Sequence, residues 1–240
     1  MRRLAVVAAS IVAALVGSAT LAAAAGPYVS GWTGYDEASG QCGATPPTAD
    51  FAILNATGGR PFSANSCLAS EVSAAGTDQV SFYFNTGYSG AYGRDVTAAC
   101  SSAASSKGYS GKLAQAYAIG CNEAGYAISR ATVPGAAWWL DVETANSWSS
   151  SNTAYNVATI QGGIDEAHTL TRGGPVGVYS SSSAWQVITG GRAVSSFDGS
   201  WVLAGQYACG GTAFGGSQVW IVQTGTTTVN GVAFDTDTVC

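Results

Sequence analysis

Apolar positions in this chain come in short runs separated by stretches of Gly, Ser and Thr, and the runs change period along its length. Residues 51–55, 79–85, 138–143 and 176–179 are compact apolar or aromatic runs that predict strands, and residues 31–36, with two glycines, predict a weaker first one. Between them the spacing lengthens to that of helices. Asn65 is placed to cap a helix over 68–75, an Ala-rich helix is expected over 94–107, and residues 112–129 put Leu113, Ala116, Tyr117, Gly120 and Ala124 on one face. Asn152 is placed to cap a further helix to Thr171, with Val157, Ile160, Ile164 and Ala167 as its apolar stripe. Arg172 and Gly173-Gly174 supply its stop. A short helix around Trp185 and Ile188 follows, and then the pattern changes. Strands over 201–205, 218–223 and 231–234 are joined by Gly-rich loops with no long helix.

Strand–helix alternation giving way to helix-poor strands predicts an α/β fold, a TIM-like barrel with an incomplete helical coat. A doubly wound open sheet is the alternative. Its nucleotide-binding form needs a Gly-rich turn after the first strand, which Asp36-Glu37-Ala38-Ser39-Gly40 does not provide. Neither internal repeats nor a linker divide the chain, so one domain is expected over 26–240. Residues 1–25 read differently. A basic head (Arg2, Arg3), an apolar run from Leu4 to Leu21 and the small-residue end Ala22 to Ala25 describe a secretory signal peptide. Ser10, Gly17, Ser18 and Thr20 interrupt that run and no basic stop follows it, which argues against stable membrane insertion after cleavage. The mature protein is therefore expected outside the cell or at the wall.

Charge narrows the partners. The chain carries nine basic and fourteen acidic residues, and loss of Arg2 and Arg3 makes it more acidic still. Without a Lys/Arg cluster there is no footprint for a phosphate backbone, so nucleic acid is excluded. Six cysteines, an even number in an oxidising compartment, predict three disulfides. The favoured pairing joins sequence neighbours: Cys42 to Cys67, Cys100 to Cys121 and Cys209 to Cys240. No Cys-x₂-Cys spacing is present and His168 is the single histidine, so neither a metal nor a cofactor is expected.

Candidate chemistry gathers at the strand ends, where barrel enzymes place it. Those ends offer Asp36, Asn55, Asn85, Asp141 with Glu143, and Asp235 with Asp237. In Trp138-Trp139-Leu140-Asp141-Val142-Glu143 the alternation puts Trp139, Asp141 and Glu143 on one side. Two like charges at the end of a buried strand raise at least one pKa, which is what a general acid requires. The plainer reading is a wet loop whose acids cap the next segment. Paired carboxylates suffice to hydrolyse a glycosidic bond, and Tyr35, Tyr83, Trp148, Tyr179 and Tyr207 are placed to stack on sugar rings. Trp138, Trp185 and Trp201 read as core. A serine hydrolase is disfavoured, because His168 lies within a helix and the Gly-Tyr-Ser-Gly runs at 87–90 and 108–111 lack the nucleophile-elbow spacing.

Several of these segments together resemble the secreted muramidases of glycoside hydrolase family 25. They are Gly34-Tyr35-Asp36, 51–58 (Phe-Ala-Ile-Leu-Asn-Ala-Thr-Gly), Phe82-Tyr83-Phe84, Leu140-Asp141-Val142-Glu143, 176–180 (Val-Gly-Val-Tyr-Ser), 219–223 (Val-Trp-Ile-Val-Gln) and Phe234-Asp235. The likeness is strongest to an actinobacterial secreted branch with a Trp-Trp-Leu-Asp-Val-Glu strand. The resemblance implies a (β/α)₅β₃ barrel cleaving the β-1,4 bond between N-acetylmuramic acid and N-acetylglucosamine. In it Glu143 matches the general acid, Asp141 the neighbour that orients or stabilises the acetamido group, and Asp36 and Asp235 complete the acidic cleft. Tyr35, Asn55, Tyr83, Asn85, Tyr179, Gln223 and Asp237 are the candidate substrate-binding residues, bacterial wall polysaccharide the expected partner, and a monomer the expected state. Two departures bear on substrate: Asp36-Glu37-Ala38-Ser39 replaces the family's Asp-Val-Ser, and Phe82-Tyr83-Phe84 lacks its histidine. The alternative is a non-catalytic exported glycan-binding barrel of the same fold.

Overall fold

The computed structural model describes residues 26–240 except residue 132; the expected signal peptide, 1–25, lies outside the described residues. Eight strands close into a barrel in sequence order: β1 (Thr33–Glu37), β2 (Phe51–Asn55), β3 (Val80–Asn85), β4 (Trp138–Asp141), β5 (Val176–Ser180), β6 (Gly199–Leu203), β7 (Val219–Val229) and β8 (Val232–Val239). Neighbours from β1 to β7 pair in parallel, while β8 runs antiparallel to both β7 and β1. Helices coat part of the outside: α1 (Leu68–Ala74), α2 (Ala98–Ser106), α3 (Gly111–Ile128), α4 (Thr153–Thr171) and α5 (Ser182–Thr189). They follow β2 to β5, so the expected TIM-like barrel with an incomplete coat is the fold observed.

Strand alternation divides the apolar side chains into two layers. Leu54, Phe82, Phe84, Trp138, Leu140, Val176 and Val178 face the helices, in one cluster with Ile160 and Ile164 of α4. Phe51, Ile53, Tyr83, Trp139, Tyr179, Trp201 and Ile221 fill the barrel. Glycines make room for the interior rings. A Cβ on Gly177 would sit 2.2 Å from the Trp139 ring, and one on Gly199 would sit 2.1 Å from Trp220. Tyr28, ahead of β1, closes the lower end by bonding Ser81 Oγ (2.6 Å) and accepting the Trp139 indole N–H (3.1 Å). The upper end, where the parallel strands finish, stays open.

Several sequence expectations shift. The helix expected from residue 94 starts at Ala98, because Thr97 caps it by accepting the Cys100 N–H and residues 90–95 form a 3₁₀ turn. Asn65 does not cap α1 directly; Cys67 is the N-cap, and Asn65 instead accepts the Cys67 N–H and donates to Asn55 O and Glu71. Asn152 does cap α4, through the Ala154 N–H. The last strand, expected over 231–234, continues to Val239, because the β7–β8 hairpin pairs along its whole length. All three disulfides join the expected partners, with Cα separations of 5.6, 5.7 and 5.2 Å. They tie the β1–β2 loop to α1, α2 to α3, and the C-terminus to the β6–β7 loop. No helix among the described residues is long and apolar enough to cross a membrane.

Candidate active site

At the open end lies a cleft of about 360 Å³, lined among others by Asp36, Asp141, Glu143 and Asp235. Three stretches of chain deliver these four acids. Asp36 is the fourth residue of β1 and pairs directly with Asp235 of β8, so both point into the barrel. Asp141 ends β4; Glu143 lies two residues beyond, where Val142 still donates its N–H to Tyr179 O (2.9 Å) and preserves the alternation.

Amides hold two of the acids, Asp36 and Asp141. Asp36 Oδ2 accepts from Gln223 Nε2 (2.8 Å), and Gln223 Oε1 accepts the Tyr179 hydroxyl (2.9 Å). Asp141 Oδ2 accepts from Asn85 Nδ2 (2.5 Å) and Asn146 Nδ2 (3.2 Å). Behind Asn85, its Oδ1 accepts from Asn55 Nδ2 (3.3 Å), and the Thr57 hydroxyl sits between the two amide oxygens, 2.7 Å from that of Asn55 and 2.8 Å from that of Asn85. Asn146 also donates to the Asp141 backbone carbonyl (3.1 Å), which pins the loop after β4 across the strand end. Asp141 Oδ1 is buried and has no hydrogen-bond partner among the described residues.

Burial dominates the electrostatics. The carboxyl of Asp141 is pushed well above its ordinary range, first by loss of water and then by the charge of Glu143, against the pull of its hydrogen bonds from Asn146 and Asn85. Glu143 is raised by burial and by Asp235, and lowered by its hydrogen bond with Asp141. Asp36 is raised by burial and by Asp235, partly offset by Gln223, and Asp235 is raised by burial. Asp36 is pushed up to about 7 and Asp141 to about 8, so these two can hold a proton near neutrality; Asp141 is packed into the barrel and Glu143 lies nearer solvent.

The expected binding residues divide. Asn55, Tyr83, Asn85, Tyr179 and Gln223 line the cleft. Tyr35 does not: adjacent to inward-facing Asp36, it points outward and packs edge-on against Phe234 at 5.7 Å. Asp237 also misses it. Because β8 is antiparallel, higher numbers run downward, so Asp237 lies beneath Asp36, opposite Gly34, and accepts the Trp201 indole N–H (2.8 Å). Of the other aromatic candidates, Trp148 donates to the Glu143 carbonyl (2.7 Å) and Tyr207 packs on Phe214, both outside the cleft lining. Trp201, expected as plain core, forms part of the floor, with its ring centroid 4.4 Å from that of Tyr179. Asn146 was not foreseen; the signal for it was a short amide one turn past the strand-end acids. Among the described residues no group of three or more His, Cys, Asp or Glu is arranged to hold a metal ion.

The closed barrel whose last strand reverses is a fold like that of GH25 lysozymes. A family model described as Lysozyme-like protein 1 matches residues 109–203. Among solved structures, the chain is similar to a muramidase from Acremonium alcalophilum (18% identity, 87% of this chain and 93% of that one, TM-score 0.52). It is similar also to a family GH25 lysozyme from Aspergillus fumigatus (16%, 87% and 93%, TM-score 0.54). A bacterial lysozyme from Streptomyces coelicolor aligns at 18% identity over 88% of this chain and 93% of that one, with a TM-score of 0.50. No curated protein matches the chain.

Proposed function

We propose that this protein is an exported glycoside hydrolase that cleaves β-1,4 bonds in peptidoglycan or a related bacterial wall polysaccharide. The carrying observation is the convergence of Asp36, Asp141, Glu143 and Asp235 in one cleft floored by aromatic rings. In this reading Glu143, the less buried member of its pair, donates its proton to the departing glycosidic oxygen. Asp141, held by Asn85 and Asn146, orients the sugar's acetamido group and steadies the positive charge that develops at the anomeric carbon. Asp36 and Asp235, on the other wall, complete the acidic cleft and position the attacking group. Asn55, Asn85 and Gln223 meet ring hydroxyls, and Tyr179 offers a stacking face. Residues 1–25 direct export, and the secreted wall-hydrolase branch named by the Trp-Trp-Leu-Asp-Val-Glu strand is the proposed setting.

A binding-only barrel is the second reading, and an ion pair that disarms Glu143 would favour it. Among the described residues Glu143 makes none; neither Arg60 nor Arg130 reaches it. The test is product chemistry. Digestion of purified wall glycan, borohydride reduction of the new ends and amino-sugar analysis should yield reduced N-acetylmuramic acid. Reduced N-acetylglucosamine instead would move the cut to the other linkage, and no new ends on any wall polysaccharide would favour the binder.

A further inference from the structure

The cleft is unusual in what it lacks. It presents four carboxyl groups, yet no Lys, Arg or His is among its lining residues. The donors that would hold a bound anion are directed at the protein's own acids: Gln223 at Asp36, and Asn85 and Asn146 at Asp141. An anionic ring substituent entering here meets a wall of carboxyl groups, with no cation in the lining to offset the loss of water. The nearest cation in sequence, Arg60, follows the lining Gly59 and is exposed. Arg94 and Lys107 are committed to Asp95 and Asp165 on the helical coat.

We propose that the cleft selects glycan whose substituents beside the acid cluster are uncharged or cationic, and rejects a free carboxylate there. This rests on the glycan reading above and names its substrate class. For a muramyl polymer the distinction is chemical. The lactyl carboxyl of the ring is neutral while amide-bonded to a peptide and becomes an anion once that amide is hydrolysed. Chain cleavage by this protein therefore precedes peptide removal, and an amide hydrolase acting on the glycan first takes its substrate away.

The experiment compares two polymers made from one preparation: wall glycan stripped of peptide by an amidase, which bears free lactyl carboxylates, and the same material coupled to methylamine. Both kcat/KM for new reducing ends and the affinity of the wild-type protein, measured by depletion on ice, are read at pH 7. The methylamide should be preferred by tenfold or more in each. Equal or better handling of the free carboxylate overturns the proposal. If neither polymer is cut but the methylamide is still bound more tightly, the hydrolase reading fails while the substrate class stands. Arg60→Ala should leave the ranking unchanged. A preference for the carboxylate that disappears in Arg60→Ala would assign carboxylate recognition to that arginine and refute the proposal by another route.

Discussion

Asp141 bears the greatest local cost in the cleft, because it is buried, faces Glu143 and leaves one oxygen without a partner. Two amides limit that cost, and Asn146 is the one that also fixes the loop. Removing it takes away a bond that favours the ionised form, so Asn146→Ala raises the pKa of the Asp141–Glu143 pair further. The limb of the kcat/KM profile belonging to that pair should move upward by roughly half to one pH unit. A profile that stays in place while activity falls would make Asn146 a loop anchor with no electrostatic part. At this scale the sequence was readable where alternation applied. Asp36, Asp141 and Glu143 follow from counting positions at strand ends, and Tyr35 was misjudged because the same count, applied one residue earlier, turns it outward.

Elements were legible wherever a period was sustained. The interior strands β2 to β5 and the long helices α3 and α4 announce themselves by apolar spacing and caps. Irregular pieces did not. The 3₁₀ turn at Gly90–Asp95 has no period, and the true length of β7 and β8 was hidden because residues 224–229 of β7 and 235–239 of β8 are rich in Thr and resemble loops. Direction was also invisible. A hairpin between β7 and β8 makes β8 antiparallel, and this reversal brings Asp235 to the cleft while carrying Asp237 below it. Strand-end reasoning reached Asp235 with the wrong geometry, since it sits near the start of its strand. The close approach of α3 and α4 was likewise unreadable as packing. It depends on Gly120 and Gly162, where a Cβ would fall 1.8 Å from Thr159 O and 2.0 Å from Tyr117 O.

At the scale of the molecule, nine carboxyl groups among the described residues are raised: Asp36, Glu37, Glu71, Glu123, Asp141, Glu143, Glu166, Asp235 and Asp237. Burial is the first cause for each, and Glu37 reaches about 7. The folded chain therefore binds more protons than the unfolded one between the ordinary carboxyl range and these raised values. Stability must fall as pH climbs through that window. The melting temperature should be highest near pH 4 to 5 and decline steadily through pH 7 to 8; a melting temperature that rises over this range would refute the burial account. The same store of protons underlies the proposed chemistry, and one assay addresses that most directly: release of reducing ends from purified bacterial wall glycan by wild type and Glu143→Gln, with glycan binding measured alongside. Glu143→Gln keeps the side chain's size and removes its transferable proton, so turnover should fall by about 10² to 10⁴-fold while binding persists. Turnover in Glu143→Gln equal to that of wild type would contradict the assignment of Glu143 as the acid.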